Sequence, residues 1–192
     1  MEMLSAQLIQ LIGQALNEKS VSFFLSQEWG SQNSDHREKI HQALESQKTR
    51  TEPASFTYSI SHTIGLGGFV TSTSKNKQIG FDVEIKARVS NQIAKRISFN
   101  STEFQEAPSA AQLWVAKESA YKALRGQGQP KVITELNLGQ WLLVSAASNN
   151  SEQDFQVETF RLLSQSEQQV SDSIGITFTR NEFIFGIFLL GF

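Results

Sequence analysis

One stretch constrains the chain more than any other: Ile79-Gly80-Phe81-Asp82-Val83-Glu84-Ile85. Ile79, Phe81, Val83 and Ile85 alternate with Gly80, Asp82 and Glu84, which is the period of a strand with one apolar face. Asp82 and Glu84 then share the other face, roughly 6.5–7 Å apart along the chain. Two carboxylates on the polar side of so apolar a strand repel each other unless a cation sits between them. A hard divalent cation such as Mg²⁺ is the natural candidate.

A second stretch, Trp114-Val115-Ala116-Lys117-Glu118-Ser119-Ala120-Tyr121-Lys122-Ala123-Leu124, has the period of a helix. Leu113, Ala116, Ala120, Ala123 and Leu124 form its apolar stripe. Glu118 and Lys122 stand at i and i+4 on a different face. Ser109 with Gln112 is a capping-box pattern, and Gly126 suits a left-handed residue past the C-terminus. Taken singly, the strand also fits an exposed sheet edge, and Glu118 with Lys122 fits a surface ion pair worth a few tenths of a kcal/mol.

Composition narrows the classes. The 192 residues suffice for one domain or two small lobes with a sizeable core. A formal net charge of −2 gives no global field for nucleic acid. With no cysteine, disulfides and thiolate metal sites are excluded. No apolar run is long enough for a transmembrane helix. The first basic residue is Lys19, so a secretory n-region is missing, and a cytoplasmic protein without a membrane partner is expected.

The patterning predicts a helix over 3–16, a strand over 21–25, a polar loop over 30–34 and a helix over 35–47, broken between Lys48 and Pro53. Phe56 to Ser61 alternates as a strand ending at His62 and Thr63. Leu66 to Thr73 and Gln78 to Ile85 read as a hairpin around residues 74–77. Ser90 caps a short helix with Ile93, Ala94 and Ile97. A loop through Pro108 precedes the main helix. Four strands follow, at 141–144, 155–162, 174–179 and 183–190, with a polar loop over 145–154 and a turn at Arg180-Asn181. The last strand, apolar on both faces, belongs inside a sheet. The order describes an α+β chain in two lobes, 1–75 and 76–192.

The two leading stretches together resemble the signature of the 4′-phosphopantetheinyl transferases: Gly-x-Asp-x-Glu (Gly80, Asp82, Glu84), then Trp-x-x-Lys-Glu-x-x-x-Lys (Trp114, Lys117, Glu118, Lys122). Ser59-Ile60-Ser61-His62 is similar to the Ser-x-Ser-His of the family's two-lobed members. Asp35-His36-Arg37 resembles a short stretch on their first-lobe helix. The resemblance is best from Phe56 to Gln129. It implies two similar α+β lobes related by a pseudo-twofold, with a reduced first lobe, in a monomer. It also implies transfer of 4′-phosphopantetheine from coenzyme A to a serine of an apo acyl or peptidyl carrier protein, with release of 3′,5′-ADP. On that reading Asp82, Glu84 and Glu118 hold Mg²⁺, and Lys122 and Lys117 stabilise developing charge. Glu118 is also the candidate base, and Ser61, His62 and Arg37 contact the coenzyme. The family's first-lobe Gly-Lys-Pro stretch is missing; the nearest candidate is Thr51-Glu52-Pro53, after Lys48 and Arg50.

Other patterns carry less. Gly65-Leu66-Gly67-Gly68 lacks dinucleotide-binding spacing and reads as a turn. His36 and His41 do not share a helix face well enough for a zinc pair. No Gly-x-Ser-x-Gly nucleophile motif occurs. Lys86, Arg88, Lys95 and Arg96 form a local basic group suited to an acidic carrier. The alternative is a non-catalytic relative that binds coenzyme A or a carrier protein.

Overall fold

A computed structural model describes residues 6–49, 56–146, 155–164, 170 and 172–191. The chain is α+β, with two antiparallel sheets and five α-helices among the described residues. The first part contains α1 (Ala6–Ala15), β1 (Val21–Ser26), α2 (His36–Lys48), β2 (Thr57–Thr63) and β3 (Leu66–Ser72). Its three-stranded sheet has the order β1-β3-β2. The second part contains β4 (Lys77–Ile85), α3 (Asn91–Ile97), α4 (Ser101–Glu106), α5 (Ala110–Ala123), β5 (Asn137–Ala146), β6 (Phe155–Leu163), β7 (Ser173–Arg180) and β8 (Phe183–Gly191). Its five-stranded sheet has the order β4-β8-β7-β6-β5.

Side-chain period decides the layers. Ile79, Phe81 and Val83 of β4 point into one core with Ile176, Phe178, Phe185 and Ile187, and α1 closes it with Leu8, Leu11, Ile12 and Leu16. Removing each such side chain from water contributes about 1.5–3 kcal/mol. The opposite face of the large sheet carries α5, whose Ala116, Ala120, Ala123 and Leu124 meet Leu138, Phe160, Phe188 and Leu190. Buried on both faces, β8 lies between β4 and β7, as its continuous apolar run requires. Against the small sheet, Ile40 and Leu44 of α2 pack on Phe69 and Trp29.

Two close approaches set the seat of α5. A Cβ on Gly80 would run into the Ser119 carbonyl and come within 2.7 Å of Ala123 N, and one on Gly186 would strike the Val115 carbonyl. Glycine at both points lets the helix backbone rest directly on β4 and β8. Ser109 caps α5 as its sequence predicts, accepting from Gln112 N, and Gly126 takes φ +79 beyond its end.

The structure corrects the expected hairpin. β3 pairs with β2 and β1, through the two-residue turn Ile64-Gly65, while β4 pairs with β8 in the other sheet. Both candidate partners alternate suitably, so local pattern could not choose between them. The expected loop through Pro108 contains α4, capped by Asn100. The strand expected to start at Trp141 starts at Asn137, with a bulge between Gly139 and Leu142. The candidate at residues 50–53 lies outside the described residues; of the loop expected over 145–154, Ser145 and Ala146 belong to β5 and residues 147–154 lie outside the described residues.

Candidate active site

The two sheets meet where β2 runs alongside β4, and side chains join them. Ser59 Oγ accepts from Phe81 N at 2.9 Å, and Ser61 Oγ accepts from Val83 N at 3.3 Å. The hydroxyl side of β2 is therefore the buried one, and Tyr58 on its other side is exposed. Serine can face a core here because each hydroxyl satisfies an otherwise unpaired backbone donor.

Asp82 lies in this junction. Its Oδ1 accepts from Ser61 Oγ and from Lys122 Nζ, each at 2.7 Å. The Lys122 ammonium also donates to the Phe81 carbonyl at 3.1 Å and to Ser61 Oγ at 3.2 Å. Burial pushes the Asp82 carboxyl up from its ordinary range, while the Lys122 charge and the Ser61 hydrogen bond pull it back.

Above that pair opens a cleft of about 680 Å³, with Arg37, His41, His62, Glu118, Lys122 and Arg125 in its lining. Arg37 and His41 come from α2, His62 from β2, and Glu118 and Lys122 from α5. The Glu118 carboxylate makes no hydrogen bond or ion pair with the described residues. Burial raises it, the Asp82 charge raises it further, and Lys122 opposes both. His62 is shifted down by burial and by the neighbouring His36, Arg37 and Lys122, all of which favour the neutral imidazole. Its ring meets the His36 ring edge-on, centroids 4.5 Å apart.

Of the predicted site residues, Arg37, His62, Glu118 and Lys122 are brought to one cleft, with Ser61 and Asp82 directly beneath. Two are not brought there. Glu84 Oε1 accepts from Thr63 Oγ1 at 2.6 Å and from Ile85 N at 2.8 Å, with Arg88 at 3.4 Å. Lys117 is fully buried, with its ammonium 2.8 Å from Glu103 Oε2. Helix geometry explains the latter: successive residues diverge by about 100°, so Lys117 and Glu118 leave α5 in different directions.

Sequence reasoning missed His41, Tyr121, Arg125 and Gln129, all in the lining. His41 lies one turn after Arg37, and Arg125 one turn after Tyr121 and three residues after Lys122. The i, i+4 relation of His41 to Arg37 and the i, i+3 relation of Arg125 to Lys122 were usable signals.

Among the described residues, no three His, Asp or Glu side chains form a metal-holding group. Asp82 and Glu118 are nonetheless electrostatic neighbours at one cleft. One or two carboxylates plus substrate phosphates are the ordinary donor set of Mg²⁺, so this pair fits that ion with a phosphorylated ligand. In a chain of net charge −2, a cleft with three fixed cations, two imidazoles and one carboxylate suits a ligand bearing several phosphate oxygens.

A larger cleft of about 900 Å³ lies along α1 and β1, lined by Ile9, Ile12, Val21 and Phe23 among others, and holds none of these groups. Among the described residues no helix is long and apolar enough to cross a membrane. No protein-family model matches the chain and no curated protein matches it, so the reading of this cleft rests on its motifs and its geometry.

Proposed function

We propose that the chain transfers the 4′-phosphopantetheine group of coenzyme A to a serine hydroxyl of an apo carrier protein. The observation that carries this is the convergence of Arg37, His62, Glu118 and Lys122 on one cleft, over Asp82 and Ser61. These residues come from four stretches separated in sequence, and a chance resemblance has no reason to assemble them. The two sheets, meeting at β2 and β4, support reading the fold as a reduced and a full lobe of the transferase type.

The chemistry follows from the cleft. Arg37, His41 and His62 hold the coenzyme's phosphates, with His62 gaining a proton as the anion arrives. The serine oxygen attacks the phosphorus that bears the pantetheine arm. The bridging P–O bond breaks, and its electron pair leaves with 3′,5′-ADP. Lys122 faces the charge that grows on the pyrophosphate oxygens. Glu118, raised by burial and without a hydrogen bond or ion pair to the described residues, takes the serine proton. Bound by Asp82 and Glu118, Mg²⁺ would neutralise pyrophosphate charge.

A second reading is favoured by one feature: Glu84 is turned to Thr63 and Arg88, so of the three expected acids only Glu118 lines the cleft, with Asp82 beneath it. On that reading the chain binds coenzyme A without turnover. Incubation with coenzyme A, Mg²⁺ and several apo carrier proteins, followed by intact-mass measurement of the carrier, separates the two. A mass gain of one phosphopantetheine is expected. Coenzyme A binding with no gain on any carrier selects the second reading, and no binding at all refutes both.

A further inference from the structure

Lys117 belongs to the same motif as Glu118 yet serves a different place. Its side chain and that of Glu103 are each 0% exposed. The ammonium sits 2.8 Å from Glu103 Oε2 and also donates to the Leu136 carbonyl. Glu103 accepts from the backbone N–H of Phe99 and, at 2.6 Å, from that of Leu138. One ion pair thus ties α4, α5 and the entry to β5. Burial pushes the Glu103 carboxyl up and the Lys117 ammonium down, and each partner pulls the other back towards its charged form. Breaking one half of such a pair is costly, because the other is left as an unpaired buried charge.

The position of this pair around α5 matters. At about 100° per residue, Lys117 lies about 160° from Ser119, the residue seated on Gly80. On the sheet side the helix presents small side chains: its backbone rests on Gly80 and Gly186, and Ala116, Ala120 and Ala123 pack on Phe160 and Phe188. Such small side chains make shallow ridges against rolling about the helix axis, and on the sheet side the polar ties are Lys122 to Asp82 and Gln112 to Thr177. The directional contact on the far side is the Lys117–Glu103 pair.

We propose that this buried pair sets the rotation of α5 and so holds Glu118 and Lys122 in the cleft, which makes Lys117 and Glu103 positioning residues. The inference rests on the cleft being the site proposed above. At the ~5–6 Å radius of a helix with its side chains, a roll of about 10° moves the Glu118 carboxylate by about 1 Å. A misplacement of that size costs on the order of 100-fold in rate.

The test uses Lys117→Met with Glu103→Gln in one chain. Methionine fills the volume of the lysine stem, and glutamine keeps a carbonyl oxygen for one backbone donor. Leu162→Ala, a cut in the core under α5, is the stability control. Thermal melting, kcat and KM for coenzyme A, and the Kd of inorganic pyrophosphate by calorimetry are measured for each. The folded double variant is expected to lose about 100-fold in kcat, with KM rising less because α2 and β2 are untouched. Pyrophosphate, which meets Lys122, is expected to bind several-fold more weakly. The control should lose melting temperature and keep its kcat. A folded double variant with wild-type kcat and pyrophosphate affinity overturns the proposal. If the double variant does not fold, Glu103→Asp, which keeps both charges but shortens the reach of the pair, is read by the same criteria. If the wild type transfers nothing, the proposed reaction fails separately, and the pyrophosphate measurement still decides whether the pair positions Lys122.

Discussion

Ser61→Ala removes one oxygen from the junction of the two sheets, and the consequences can be worked out contact by contact. The Val83 N–H loses its acceptor in a buried setting, which costs about 1–3 kcal/mol. Asp82 loses the 2.7 Å hydrogen bond from Ser61, and bonds to a charged acceptor contribute about 1.5–3 kcal/mol. Lys122 Nζ also loses an acceptor at 3.2 Å; the three losses share one site and are not additive, so the expected destabilisation at pH 7 is about 2–4 kcal/mol. Ser59→Ala is the matched control, because among the described residues Ser59 Oγ serves the Phe81 N–H alone; its cost should be about 1–2 kcal/mol.

The two variants should also differ in their response to pH. Burial already raises the folded-state Asp82 pKa above its ordinary 3.8, and the Ser61 hydrogen bond opposes that rise. A carboxyl raised on folding lowers stability as pH climbs from its unfolded value through its folded one. Without Ser61 the folded value rises further, so the Ser61→Ala deficit should widen from low pH towards pH 7, while that of Ser59→Ala stays level. Urea melts at pH 4, 5.5 and 7 measure both. A Ser61→Ala deficit under about 0.5 kcal/mol at pH 7, well below the unsatisfied-donor range, would refute the reasoning. So would a deficit with the same pH dependence as the control.

Gly80→Ala should destabilise the chain by at least the ~1–3 kcal/mol typical of overpacking, because the obstacle is the α5 backbone and cannot swing aside; a wild-type melting temperature would contradict the close seat. Burial pushes Glu18 up, but hydrogen bonds from Ser74, Lys77 and Ser20 outweigh it and bring its pKa to about 2, against an ordinary 4.5. Its stabilisation is present above pH 4.5 and is lost as pH falls towards 2, so the advantage of wild type over Glu18→Gln should shrink across that window in acid melts. His62→Ala should weaken coenzyme A binding more than dephospho-coenzyme A binding if the imidazole meets the 3′-phosphate; equal losses, measured by calorimetry, would move it to the pyrophosphate or to a structural role. Asp82→Ala should abolish transfer in a folded protein, and near-normal turnover at sub-millimolar Mg²⁺ would remove Asp82 from the metal assignment.

Much of this molecule was legible in the chain itself, where the deciding interactions are local. Alternation from Ile79 to Ile85 dictated a strand with Asp82 and Glu84 opposite its apolar face. The i, i+4 spacing put Glu118 and Lys122 on one side of a helix, and Ser109 with Gln112 marked where that helix begins, because a cap involves only a few consecutive residues. Other features needed the tertiary structure. Pairing of β4 with β8 rather than β3 joins residues some hundred positions apart, and many strands could satisfy the same alternation. The burial of Ser59 and Ser61 depended on which backbone donors lay opposite. Asp82 and Glu84 share a face, yet one meets Lys122 and the other Thr63, because each side chain answers the charge and hydrogen-bond partner that the neighbouring strand presents. Lys117 and Glu118 are adjacent in the chain, and only the packing of α4 against α5 decided that one would be sealed in the core while its neighbour opened to the cleft.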